Sequence, residues 1–176
     1  MRTRIKLPGL LLCAAALGGL AACGAGEKEL NLIEEEFSAY RATHPGYLEY
    51  QIAGHLQPYR RILVNPEGGA FFDAPPSDGR YPEGTVFVKE NFTETPTEGD
   101  EADFLTVMIK QSDHPEAVAG WVWLTRDGDG KESIVSGKFC ISCHQAANAD
   151  HQYGAGNPEN EFRDYIFYPP FQKDRL

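Results

Sequence analysis

The stretch Phe104-Leu105-Thr106-Val107-Met108-Ile109-Lys110-Gln111, followed by Ser112-Asp113-His114-Pro115-Glu116 and then Ala117-Val118-Ala119-Gly120-Trp121-Val122-Trp123-Leu124-Thr125, decides the fold. Two β-branched and aromatic runs flank a segment of turn formers, so it reads as a β-hairpin. Around Trp121 and Trp123 the aromatics alternate with Val122 and Leu124, which predicts a strand covered on both faces. Upstream, Thr85–Asn91 has the same β-branched and aromatic character. Arg61–Asn65 is a shorter run, read as stopped by Pro66-Glu67-Gly68-Gly69. One amphipathic helix is expected near Glu29–Arg41, where Leu30, Ile33, Phe37 and Tyr40 fall at helical spacing. The expected class is α+β: mainly antiparallel sheet, flanking helices and a chemically distinctive turn near the C-terminus.

With 176 residues, 41% apolar and 11% aromatic, the chain can build a real core and is not wholly disordered. Its formal charge of −10 would repel a phosphate backbone, which argues against a nucleic-acid partner. The same charge suits docking of a cationic redox protein. Arg2, Arg4 and Lys6 precede an uncharged run from Leu7 to Cys23, the build of an export signal. That run is shorter than the about 20 residues a membrane-spanning helix needs. Leu20-Ala21-Ala22-Cys23 looks like a bacterial lipobox, in which Cys23 is acylated and becomes the new N-terminus. Plain cleavage nearby, with Cys23 an incidental thiol, is the alternative. The expected layout is a signal peptide over 1–22, a tether over 23–28 and one domain over 29–176. Location is expected in the periplasm, held to the outer membrane by lipid, since Gly24 gives no hint of inner-membrane retention.

Of the four cysteines, Cys13 leaves with the signal and Cys23 is the lipid candidate. The remaining two sit in Cys140-Ile141-Ser142-Cys143-His144, the C-x-x-C-H signature of c-type haem attachment. On one helical turn two thiols reach the two vinyl groups of one porphyrin, and the next histidine falls under the iron as proximal ligand. One covalent haem c is the expected cofactor. A redox dithiol would open a helix after the first strand of an early βαβ unit, whereas this pair lies near the C-terminus. Zinc would want a second Cys/His pair, which His151 alone does not supply.

No methionine follows His144, so the axial methionine of a small electron carrier is missing. Met108 lies in a strand-like run, and His44, His55, His114 and His151 each read more simply as surface residues than as a sixth ligand. A vacant sixth position, open to a guest molecule, is the favoured reading.

These residues resemble the cytochrome P-460 family, which includes the β-sheet cytochromes c′-beta. Three features carry the likeness: Tyr81-Pro82-Glu83-Gly84-Thr85-Val86-Phe87-Val88-Lys89-Glu90, the Trp121 strand followed by Cys140–His144, and the terminal Asp164-Tyr165-Ile166-Phe167. The resemblance implies an antiparallel sheet, a five-coordinate haem c and a homodimer. In cytochromes P-460 the lysine at the position of Lys89 is joined covalently to a porphyrin meso carbon, and those proteins oxidise hydroxylamine at ferric iron. The c′-beta relatives lack that bond and bind nitric oxide or carbon monoxide.

Read physically, Lys89 is either an edge lysine paired with Glu90 or an amine aimed at the haem edge. Alternation puts it on one face with Phe87, which could crowd the iron, and Val86 and Val88 on the other. Between His144 and Asp164 the chain is longer than in the hydroxylamine oxidisers. Gly137-Lys138-Phe139 offers no carboxylate as proton acceptor; Glu132 is a substitute, although Arg126–Glu132 reads as an exposed turn. Arg163 and Asp164 are candidates to steer a propionate and the proximal imidazole N–H. The expected activity is oxidation of hydroxylamine or a related small nitrogen compound, with a soluble cytochrome as electron acceptor; the alternative is capture of nitric oxide or carbon monoxide without turnover.

Overall fold

The computed structural model describes residues 39–49, 57–73, 77–151 and 156–167. Cys23 and the export segment lie outside them, as do His55 and most of the helix expected over Glu29–Arg41. At the end of that span Arg41 begins a strand instead.

One antiparallel sheet of seven strands organises the chain. Its strands are β1 (Arg41–Ala42), β2 (Leu48–Glu49), β3 (Tyr59–Val64), β4 (Val86–Phe92), β5 (Phe104–Lys110), β6 (Trp121–Asp127) and β7 (Glu132–Ile134). From β3 to β7 they form a meander in chain order, while β1 and β2 pair with opposite ends of β3. Two short helices, α1 (Pro66–Asp73) and α2 (Gly137–His144), complete the α+β architecture.

The alternation of the sequence becomes two packed faces. Leu63, Val86, Val88, Leu105, Val107, Ile109 and Leu124 form the core on one. Val64, Phe87, Met108, Trp121 and Trp123 occupy the other with Tyr81 and Ile166, and α2 lies against this second face. Trp121 through Leu124 are all buried, as a doubly covered strand requires.

Two boundaries differ from expectation. Pro66-Glu67-Gly68-Gly69 starts a helix rather than merely ending a strand. Asn65 Oδ1 accepts from Gly68 N at 3.1 Å and from Val86 N at 3.0 Å, capping α1 and tying it to β4. Pro66 stands where a helix has no use for an N–H. Strand β6 begins at Trp121, not Ala117, because Ala119 (φ 58°) and Gly120 (φ 82°) form a tight reversal closed by mutual Val118–Trp121 hydrogen bonds.

Candidate haem site

Helix α2 turns one stripe to the sheet: Gly137, Cys140, Ile141 and His144, spaced i, i+3, i+4, i+7. Cys140 and Ile141 pack on the Trp121/Trp123 cluster, while Cys143 and Phe139 are exposed. Gly137 permits the close approach. A Cβ there would meet Trp123 Cδ1 and Val118 Cγ2 at 2.8 Å, inside van der Waals contact. Both thiols are free. Burial pushes the Cys140 thiol pKa up.

His144 is oriented by the tail of the chain. Its Nδ1 lies 2.9 Å from the Tyr165 carbonyl, and a carbonyl only accepts, so the proton belongs on Nδ1 and Nε2 keeps its lone pair. Trp123 and Phe167 hold the ring edge-on at 4.8 and 5.6 Å between centroids. Burial lowers the imidazole pKa to about 4; the Tyr165 carbonyl opposes the shift and the Lys89 charge adds to it. A neutral imidazole with a free Nε2, on the same helix as two unpaired thiols, is the donor set a c-type haem requires. The residues fit the group.

The Tyr165 carbonyl belongs to a tight turn, Arg163–Ile166, closed by Ile166 N donating to Arg163 O at 2.9 Å. Asp164 (φ 47°) and Tyr165 (φ 68°) both take the left-handed backbone, a conformation costing on the order of 1–3 kcal/mol at a non-glycine residue. Several groups hold it. Asn148 Oδ1 accepts from Arg163 N and Tyr165 N at 2.8 and 3.2 Å. Asp164, fully buried, takes Lys110 Nζ on both oxygens at 2.8 and 2.7 Å and Tyr81 N at 2.9 Å. Trp121 Nε1 donates to the Asp164 carbonyl at 3.0 Å. Asp164 therefore does not take the imidazole proton, as the sequence reading supposed; the neighbouring backbone carbonyl does. Arg163 turns to Gly156 O (2.9 Å) and Glu161 (3.5 Å).

Lys89 is half-buried on the sheet face that carries α2, close enough for its charge to act on Cys140, Cys143 and His144. Burial first, and then the nearby Arg60 guanidinium, lower its pKa to about 7, with the two cysteines opposing. Arg60 is itself fully buried, and its Nη2 donates to Gln57 O at 2.9 Å. The pairing of Lys89 with Glu90 does not occur. Glu90 lies on the opposite face and holds Arg61 through two hydrogen bonds of 2.5 and 3.1 Å. Glu132 is likewise bound, to Arg126 Nε at 2.9 Å within the β6–β7 hairpin on that opposite face, so it is neither a solvated turn residue nor a group facing α2.

Phe87 does share the face of Lys89, but it packs edge-to-face on Tyr81 (5.3 Å) and against Trp121 (6.1 Å) within the core. Met108 is buried in the same cluster. His44 bonds Thr43 Oγ1 through Nδ1 at 3.0 Å, His114 accepts from Glu116 N in the β5–β6 loop, and His151 rests on Phe167, the same ring that packs on His144. Among the described residues no three His, Cys, Asp or Glu side chains converge to hold a metal ion. The residues that sequence reasoning missed are Tyr165, through its carbonyl, together with Trp123, Lys110 and Asn148. The terminal Asp-Tyr pair was the one signal pointing to them.

A haem motif on a short helix, docked against the tryptophan face of an antiparallel sheet, defines a haem protein built on β-structure rather than on a helical bundle. The chain belongs to the cytochrome P460 family, whose model, described as Cytochrome P460, matches residues 37–168. That match spans β1 to the Arg163–Ile166 turn. Compared with curated proteins one by one, the chain matches none.

Proposed function

We propose that this is an exported, lipid-anchored c-type monohaem protein that oxidises hydroxylamine or a related small nitrogen compound and passes the electrons to a soluble cytochrome. Haem, when bound, supplies one-electron redox chemistry and an iron with a coordination position for the guest molecule. Cys140 and Cys143 are the attachment thiols. His144 offers Nε2, and the Tyr165 carbonyl keeps its proton on Nδ1. Lys89 is the candidate catalytic residue and second covalent anchor, the role the family resemblance implies. The observation that carries this reading is the placement of Lys89. Its amine acts on both cysteines across the sheet face, and with a pKa near 7 a large share is neutral and nucleophilic at neutral pH. Cys23 is proposed as the acylated residue, the periplasmic side of the outer membrane as the location and a homodimer as the assembly.

Peptide mass spectrometry of the haem-loaded protein tests it. A tryptic peptide containing Lys89 joined to the haem peptide, with reduction of an added cytochrome by hydroxylamine, is the expected result. An unmodified Lys89 and a spectrum indifferent to hydroxylamine would overturn the enzymatic reading.

One observation favours the second reading, binding of nitric oxide or carbon monoxide without turnover. Glu90, the carboxylate beside Lys89, and Glu132, the proton acceptor the sequence offered, are committed to Arg61 and Arg126 on the far face. Oxidation of hydroxylamine needs a proton acceptor, and neither stands on the α2 side. Tight binding of nitric oxide with no electron release from hydroxylamine is the outcome that selects this alternative.

A further inference from the structure

The buried charges Lys110 and Asp164 lie outside the haem motif and are closed off from solvent, with side-chain exposures of 6% and 1%. Replacing such a pair by apolar residues is often neutral or stabilising, so its presence calls for more than a stability argument. Its place in the fold supplies one. Asp164 is the first left-handed residue of the turn and Tyr165 the second; the ion pair pins the first, and the carbonyl of the second meets His144. Tyr81 N, Trp121 Nε1 and Asn148 Oδ1 hold the same turn from three further directions.

We infer that Lys110 and Asp164 are a positioning pair for the proximal histidine: their ion pair fixes the Arg163–Ile166 turn so that the Tyr165 carbonyl stays on His144 Nδ1. A carbonyl held there draws on the Nδ1 proton, makes Nε2 a stronger donor and favours the more oxidised metal. A backbone acceptor cannot be altered by substituting its own side chain, so tuning it falls to the residues that hold the turn. The inference rests on the haem reading above and goes beyond it, because it assigns control of ligand strength to residues outside the attachment motif.

The test uses the full chain produced with a haem-attachment system. Lys110→Met, Asp164→Asn and Asn148→Ala are compared with the wild type by the ferrous iron–histidine stretch in resonance Raman and by midpoint potential. All three variants are expected to lower the stretching frequency and raise the potential, with Lys110→Arg returning both toward wild-type values. Variants that melt earlier but keep the wild-type stretch and potential would overturn the inference and leave the pair a purely structural one. Should Lys110→Met and Asp164→Asn prevent folding, Lys110→Gln, which removes the charge but keeps a donor for Asp164, decides: a shifted stretch supports the assignment and an unshifted one ends it. A colourless wild type would instead strike at the haem reading, a separate outcome.

Discussion

Asp164 and Lys110 are the residues whose substitution should be felt most. Removing one partner of a buried pair leaves an uncompensated charge, so Lys110→Met is expected to lower stability by about 3–5 kcal/mol, measured by urea unfolding. Lys89 should behave differently. Lys89→Leu removes an amine held partly neutral by burial and by Arg60, so haem stays attached through Cys140 and Cys143 while any Lys89–haem peptide disappears from the digest. His44 sets a pH dependence. Burial, and then the Arg61 charge, lower its pKa from 6.5 to about 4, so the folded state keeps it neutral where the unfolded chain binds a proton. Its contribution is complete above pH 6.5 and is lost as pH falls toward 4. Unfolding curves at pH 7 and pH 5 should differ less in His44→Gln than in wild type. At this scale Cys140, Cys143 and His144 were legible because their spacing is itself the chemistry. Lys89 was legible as to face, through its alternation with Phe87. The clasp on His144 was not, because a carbonyl oxygen has no side-chain signature and its owner stands beside the Asp164 that drew attention.

The strands were readable wherever period and composition agreed. Strands β4 to β6 lie within a few residues of their expected positions, since β-branched runs with aromatic neighbours fit a pleated, doubly covered surface. Helix α1 was hidden, because Pro-Glu-Gly-Gly looks like punctuation until the Asn65 cap supplies the missing partner. Helix α2 depends on tertiary contact more than propensity: Ser136 makes no side-chain cap, and the helix continues directly into a short 3-10 turn, Gln145–Asn148. Gly137 is its seat. Gly137→Ala should lift the helix off Trp123 and lower the haem content per chain, read by the pyridine haemochrome absorbance per mole of protein, while the far-UV signature of the sheet persists. Trp121→Ala, by contrast, empties the core beneath the Arg163–Ile166 turn and should cost about 3–5 kcal/mol.

For the whole molecule, charge and architecture divide the work. The −10 balance is concentrated in part in the loop between β4 and β5, where Glu94, Glu98 and Glu101 are exposed. Asp100 and Asp103 there accept from Thr97 N (2.7 Å) and Thr93 N (2.6 Å) and shape the loop. Electron transfer to a basic cytochrome should therefore slow as ionic strength rises past 0.1 M, where the screening length falls to about 10 Å; stopped-flow rates across a salt series check this. The antiparallel class was legible from the hairpin outward. The pairing of both β1 and β2 with β3 was not, since strands of two residues carry no periodicity. Tyr165 follows both thiols and every strand of the sheet in the chain, so the group that orients His144 comes from a segment separate from the one that carries the attachment motif. A chain cut after residue 150 would carry its pigment with an unsteadied ligand.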